Sequence, residues 1–494
     1  MPRIKMLSPI TILMIVVVIA AITTWLIPAG KYNTITFDSG RFIYATQNGD
    51  TTYPAAQSTL DQFNISIPIK SFQEGSIRKP VAVPGTFHTL PSNSQGIIDV
   101  LMAPVKGIID SIDIILFLFL IGAFMNVFHE TGALVSGLTA LSLKMKGRES
   151  LLIVILTFLF SFGGASFGMA EETLAFYPVI VPLFIAAGYD AILPVAVLLG
   201  GTQLGTLSSF TNPFATIIAS NAAGINWTEG LIERIALFCI TTFVTILYFV
   251  WYAKRVKRNP AKSYQPAGIE IPFIEKTVHR NEPLSSKNKA LLILFLFTFL
   301  IMIGGVVFLD WWLPEMSTLF LAASIVMAVI TRTPERNFID HFIKGAEGML
   351  GVALIVGVAR GVTIILNEGN ISDSILYYAS EGVKGLPPSL LIVALFVIYI
   401  FLTLFISSSS GMAVLTMPII GSLGVMADIP TREVVNSYLF GMGIMGFVTP
   451  TGLMLPSLAM VNVTIKAWWR FIYPLMIMLA ILCLLFLLVG IHFK

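Results

Sequence analysis

Gly168-Met169-Ala170-Glu171-Glu172-Thr173 and Gly411-Met412-Ala413-Val414-Leu415-Thr416 are one pattern, Gly-Met-Ala-x-x-Thr, written twice in a chain of 494 residues, each time inside apolar sequence. The spacing of about 240 residues recurs on either side of the pattern. Ile339-Asp340 answers Ile98-Asp99, and Asn367-Glu368-Gly369 ends a long segment as His129-Glu130-Thr131-Gly132 ends the earlier one. Two halves therefore follow one plan. They differ where chemistry would sit: Glu171 and Glu172 occupy the variable positions of the first copy, Val414 and Leu415 those of the second.

With 56% hydrophobic and 12% charged residues and a mean hydropathy of +0.86, the chain is too apolar for a soluble globular protein. It reads as an all-α polytopic membrane protein. Met1 to Ala29 places Arg3 and Lys5 before an apolar run long enough to span, so it is expected to stay as the first transmembrane segment and not to be cleaved as a signal. The net charge of +3 says nothing of nucleic acid, because the bases gather in short clusters: Arg3/Lys5, Lys144/Lys146/Arg148, Lys254/Arg255/Lys257/Arg258, Arg332/Arg336 and Lys466/Arg470. Such clusters face the cytoplasm. Cys239 and Cys483 lie in apolar segments as small hydrophobes, with no disulfide or metal framework. Neither a His-Glu-x-x-His string nor a phosphate-binding Gly-x-x-x-x-Gly-Lys occurs, so no enzyme and no ATP use is expected.

Outward from the repeated string, residues 1–29 form the first span and 30–95 a polar extracytoplasmic loop with a short β-hairpin around Tyr32 to Tyr53. Residues 96–253 complete the first half. They hold a returning span from Ile98 to His129, a short interfacial stretch at 134–143, a re-entrant helical hairpin at 151–187 and a helix at 193–222 broken by Gly205 to Pro213. A basic linker, 254–289, divides the halves, and 290–494 repeats the plan with a hairpin at 390–426 and a broken helix at 434–461, interrupted near Thr449-Pro450-Thr451-Gly452. About nine full spans and two hairpins result, with a cytoplasmic N-terminus, an external C-terminus and inverted halves. Inverted repeats with interrupted helices at matching positions mark a secondary transporter whose site lies near the bilayer midplane.

Candidate site residues follow from that depth. An uncompensated acid there costs at least about 2.5–3.5 kcal/mol on insertion scales, so Glu171 and Glu172 need a ligand cation, a proton or a buried base. Arg360, in Gly357-Val358-Ala359-Arg360-Gly361, reads as the one base deep in a helix; it would hold a substrate carboxylate or neutralise a glutamate. Small and hydroxylic residues at both hairpin tips and both breaks, Ser166, Gly168, Thr173, Thr211, Asn212, Pro213, Ser408, Ser409, Ser410, Gly411, Thr449 and Thr451, offer hydroxyls and bare amides to a carboxylate or carbonyls to a desolvated Na+. The same residues would also let helices pack closely. Glu130, Glu368, His129 and Asp190, near segment ends, read as solvated or capping.

The string Gly-Met-Ala-Glu-Glu-Thr-Leu-Ala-Phe-Tyr-Pro (168–178), Asn212-Pro213-Phe214-Ala215-Thr216, Ile-Ile-Asp-Val-Leu-Met-Ala-Pro (97–104), Ala359-Arg360-Gly361 and the Ser-Ser-Ser-Gly turn resemble the YfcC-type proteins. These belong to the C4-dicarboxylate anaerobic carrier-like group of the ion transporter superfamily. Within it the likeness is closest to the bacterial arginine/ornithine antiporters. The resemblance implies a homodimer in the bacterial cytoplasmic membrane, with a scaffold and a body of hairpins and broken helices that moves as an elevator. The function expected is exchange of a basic amino acid without an ion gradient. The rival is Na+- or H+-coupled symport of dicarboxylates or short-chain carboxylates, with Na+ at the hairpin tips. No other cofactor is expected.

Overall fold

The computed structural model describes residues 8–65, 67–73, 77, 80–133, 136–137, 149–266, 269–272, 285–309 and 311–492. The clusters Arg3/Lys5 and Lys144/Lys146/Arg148, most of the stretch 134–143 and the middle of the linker lie outside them.

Helix α1 (Pro9–Leu26) starts at Ser8, whose hydroxyl accepts the Thr11 N–H at 3.2 Å, with Pro9 in the first turn where its missing N–H costs nothing. Residues 30–89 hold more β structure than one short hairpin. Strands β1 (Gly30–Lys31), β2 (Thr34–Asp38), β3 (Arg41–Thr46), β4 (Gly49–Pro54), β5 (Val81–Ala82) and β6 (His88–Thr89) form a four-stranded antiparallel sheet, β4-β3-β2-β5, and a β1-β6 pair. The β2–β3 turn is Ser39-Gly40, both in the left-handed region (φ 48° and 76°), which matches the twist of a two-residue hairpin. Ile35, Phe42, Leu60 and Phe72 close a small core under the sheet. The all-α expectation thus holds for the membrane part, and a β cap sits on one face.

The span expected from Ile98 to His129 is two helices, α2 (Ile97–Asp110) and α3 (Ile112–Glu130), parted at Ser111. Pro104 lies within α2, and the polar Asp110-Ser111 step ends its run. The first hairpin is α4 (Glu149–Ser166), a turn, a 3-10 segment (Glu171–Phe176) and α5 (Tyr177–Ala186). The interrupted helix is α6 (Ile192–Leu207) and α7 (213–222). Helices α8 (Leu231–Arg258), α9 (Ser286–Phe308) and α10 (Leu313–Thr331) lead to α11 (Glu335–Gly348) and α12 (Leu350–Glu368), a second broken segment like α2–α3. Next come α13 (Ser372–Val383), the second hairpin α14 (Pro388–Thr403) and α15 (Ser409–Met426), the second interrupted helix α16 (Thr431–Gly446) and α17 (Met454–Val461), and α18 (Ile465–Gly490).

Nine described helices are long and apolar enough to cross a membrane. They are not the nine spans expected: α4 and α15, one arm of each hairpin, are among them, and the interrupted helices are too short to qualify.

The packing exchanges the halves. α2 lies on α12 and α3 on α11. A methyl on Gly107 would enter the backbone of Gly357 and Gly361, and one on Gly345 would come within 2.7 Å of Ala123 Cα beside Gly122. In these contacts Gly107 matches Gly345 and Gly122 matches Gly361 at an offset of about 240 residues, and they allow backbones to touch where lipid offers no hydrophobic drive. Likewise α4 packs on α6, α14 on α16, and α6 meets α16. A separate aromatic cluster of Phe117, Phe124, Phe128, Phe299 and Phe320 binds α3, α9 and α10.

Contacts also show which ends share a face. Lys257 pairs with Glu149 at 2.9 Å and lies 5.6 Å from the Tyr189 ring, so the first hairpin begins and ends beside the end of α8. Arg470 over Tyr264 (4.9 Å) and Asn462 donating to the Glu270 carbonyl (3.0 Å) put the end of α17 and start of α18 with the described linker residues. At the other ends, Arg432 reaches Glu233 at 3.4 Å, Gly490 abuts Glu433 and Gly421 abuts Ala223. The cap docks on the second half: Tyr32 N–H donates to Asp373 at 3.0 Å, Phe87 stacks on Tyr377 at 4.0 Å, and β5 touches α15.

Candidate functional site

The two breaks hold the two hairpin tips. At the first, Thr211 donates to the Ser166 carbonyl (2.9 Å) and Asn212 Nδ2 to the Gly164 carbonyl (3.1 Å), while the Phe210 and Thr211 amides donate to Ala165. At the second, Thr449 donates to the Thr403 carbonyl (3.3 Å) and Thr451 to Leu404 (3.0 Å), the two hydroxyls lying 2.9 Å apart. Each hairpin arm ends with carbonyls that have no helical partner, and side chains of the facing break satisfy them.

Several residues expected to meet a ligand are thereby used in the fold. Ser166 donates to Phe162, Thr173 to Ala170, and Asn212 Oδ1 accepts the Phe214 and Ala215 amides that Pro213 leads into. Ser408 caps α15 by accepting the Gly411 N–H at 3.2 Å. The half-helix amides are therefore not bare at these points. Gly168 has φ +78°, and a methyl there would come 2.6 Å from Asn212 Oδ1, so only glycine fits the turn. Ser409 and Ser410 are partly buried, and no side-chain hydrogen bond engages their hydroxyls among the described residues.

Both glutamates sit at the tip, in the first turn of the 3-10 segment. Glu172 is 5% exposed, and its Oε2 accepts the Ala170 N–H at 2.8 Å. Glu171 is only partly buried, and among the described residues no other residue hydrogen-bonds its carboxylate.

Arg360 does not pair with either glutamate. Its Nε donates to Asp110, in an ion pair that leaves both side chains partly open. The cause is the α2–α12 contact, which brings the C-terminal end of α2 against the middle of α12. Arg360 is also the base whose charge reaches Glu171. One turn on, Thr363 donates to the Phe405 carbonyl beside the second tip at 3.2 Å. The middle of α12 therefore lies beside the second tip. Asp110 is the residue that sequence reasoning missed; an acid 14 residues into a long apolar stretch was the available signal.

Other assignments change too. A second base, Arg234 in the first turn of α8, is fully buried and donates to the Trp227 and Glu229 carbonyls. Glu368 is ion-paired with Lys106 at 2.6 Å, and Asp190 accepts Tyr252 (2.6 Å) and Ser263 (2.5 Å), tying the hairpin exit to α8 and the linker. Among the described residues no three His, Cys, Asp or Glu side chains converge as a metal site.

The sequence model of the C4-dicarboxylate anaerobic carriers matches residues 6–492. An uncharacterized Haemophilus influenzae protein is 39% identical over 95% of this chain and 93% of its own. YfcC of Escherichia coli, provisionally described as a basic amino acid antiporter, is 27% identical over the same shares. The YdaH transporter of Alcanivorax borkumensis aligns with 99% of each chain at 14% identity and a TM-score of 0.39, too slight a likeness to carry an argument.

Proposed function

This chain belongs to the C4-dicarboxylate anaerobic carrier family, a family of membrane transporters, and from that premise we propose that it exchanges basic amino acids, arginine for ornithine, across the bacterial cytoplasmic membrane. One observation carries the choice of substrate. Arg360 makes its ion pair with Asp110, and among the described residues neither acid of the first hairpin's tip has an ion pair of its own. A negative site at that depth is complementary to a cationic side chain, and Glu171, the less buried acid with no hydrogen bond from another residue, is the group to meet it. The α-carboxylate falls to Ser409, Ser410 and the amides of the second tip. Provisional description of YfcC as a basic amino acid antiporter agrees with this reading.

The interchange of α2/α12 with α11/α3, and hairpins whose ends meet opposite faces, support inverted halves. The moving body is then the hairpins, the interrupted helices, α8 and α18, against a scaffold of α1–α3, α9–α12 and the cap that carries the dimer contact. The bases of the α8 end, with Lys466 and Arg470, support a linker face and an N-terminus on the cytoplasmic side.

Symport of an organic anion with Na+ or H+ is the second reading, favoured by the name of the matching family. Counterflow in proteoliposomes separates the two. Vesicles loaded with unlabelled arginine are expected to accumulate labelled arginine with no ion gradient, blocked by ornithine and not by succinate. Uptake of succinate that requires Na+ or a pH gradient, with no arginine counterflow, would establish symport.

A further inference from the structure

Where the cap meets the helices, a polar hollow of about 550 Å³ opens, lined by Lys31, Asn93, Gln95, Asp99, Glu368 and Asn370. None of these belongs to the hairpin tips or the breaks. Gln95 is 5% exposed and rigidly held: its N–H donates to Thr24 Oγ1 (2.8 Å), its carbonyl accepts Trp25 Nε1 (2.9 Å) and its Nε2 donates to the Asn93 carbonyl (2.9 Å). Among the described residues its Oε1 has no partner. A buried acceptor left unmet is unfavourable, so a donor is missing from this wall. Beside it, one Asp99 oxygen accepts the Gly96 N–H at 2.8 Å and caps α2, and the other is unengaged among the described residues. Glu368 is neutralised by Lys106, at 2.6 and 2.7 Å. Lys31 is exposed and makes no ion pair among the described residues.

Among the unspent groups are one carboxylate oxygen, one amide oxygen and one ammonium. A divalent metal would find a single free carboxylate and an opposing lysine, a poor donor set. An ammonium with a carboxylate on the same small molecule matches all three.

We propose that this hollow is an outer binding site for the zwitterionic headgroup of an L-amino acid, with Asp99 and Gln95 taking the ammonium and Lys31 the carboxylate. The assignment rests on the hollow's own groups and not on the exchange proposed above. A neutral amino acid should bind there even though the hairpin site does not carry it.

Equilibrium binding of labelled L-alanine to the purified full chain in nanodiscs tests it, with Glu171→Gln present to silence the hairpin acid. One saturable site per chain is expected, weakened about tenfold or more by Lys31→Gln and by Asp99→Asn, as for loss of a charge-assisted hydrogen bond. Asparagine keeps the acceptor that caps α2, and Gln95→Leu removes the free oxygen at similar size. Absence of saturable alanine binding, or binding indifferent to all three changes, overturns the site. Failed arginine counterflow alongside intact alanine binding would instead overturn the exchange reading alone.

Discussion

Glu171→Gln is expected to slow arginine exchange by about two orders of magnitude in proteoliposomes carrying equal amounts of folded protein. Removing one partner of a desolvated charge pair costs about 2–5 kcal/mol, and each ~1.4 kcal/mol is tenfold. Glutamine preserves the shape of the tip and its place in the 3-10 turn, so insertion and yield should be unchanged. Glu172→Gln should cost far less. The group that Glu172 satisfies is the Ala170 N–H at 2.8 Å, and a glutamine carbonyl accepts it equally well. Normal exchange by Glu171→Gln would remove this acid from the site, and equal losses in both variants would make the pair one functional unit.

Asp110→Asn is expected to be nearly as damaging, although Asp110 touches no substrate in this account. Released from Asp110, the Arg360 guanidinium is left to answer Glu171, the acid its charge already reaches. The site then offers an internal ion pair where it offered a free acid, and a cationic substrate must displace a tethered base. The double change Asp110→Asn with Arg360→Gln takes that base away and should recover a large part of the exchange. Such recovery is a coupling between neighbours of the kind double-mutant cycles detect. Single and double variants with additive losses would show that Arg360 contacts the substrate directly, as the anion-symport reading requires.

The repeated Gly-Met-Ala-x-x-Thr string and the glycine and hydroxyl runs about 40 residues on fall where the described helices are interrupted, because small residues and Pro213 or Pro450 are costly inside a plain helix. Family membership was legible from the same strings. What the tips do with their polar groups was not legible. A threonine at a break reads alike whether it meets a ligand or a carbonyl, and Thr211, Thr449 and Thr451 meet carbonyls of the other element. Asp110 was missed because its partner lies 250 residues away, in the other half. The division at Ser111 was hidden because the apolar runs on either side of Asp110-Ser111 together have the length of one long span, and hydropathy marks depth and not direction. The cap was underestimated because β5 and β6, only two residues each, have no pattern of their own and exist through pairing with β2 and β1.

The central claim is that the charge of the substrate's side chain, answered by Glu171, decides what this transporter carries. Arginine and citrulline have nearly the same shape and differ in that charge, so their competition for labelled-arginine exchange isolates it. Strong inhibition by arginine and little by citrulline is expected in the unaltered protein, with the preference lost in Glu171→Gln. Equal inhibition by both in the unaltered protein, or a preference that survives Glu171→Gln, would contradict that claim.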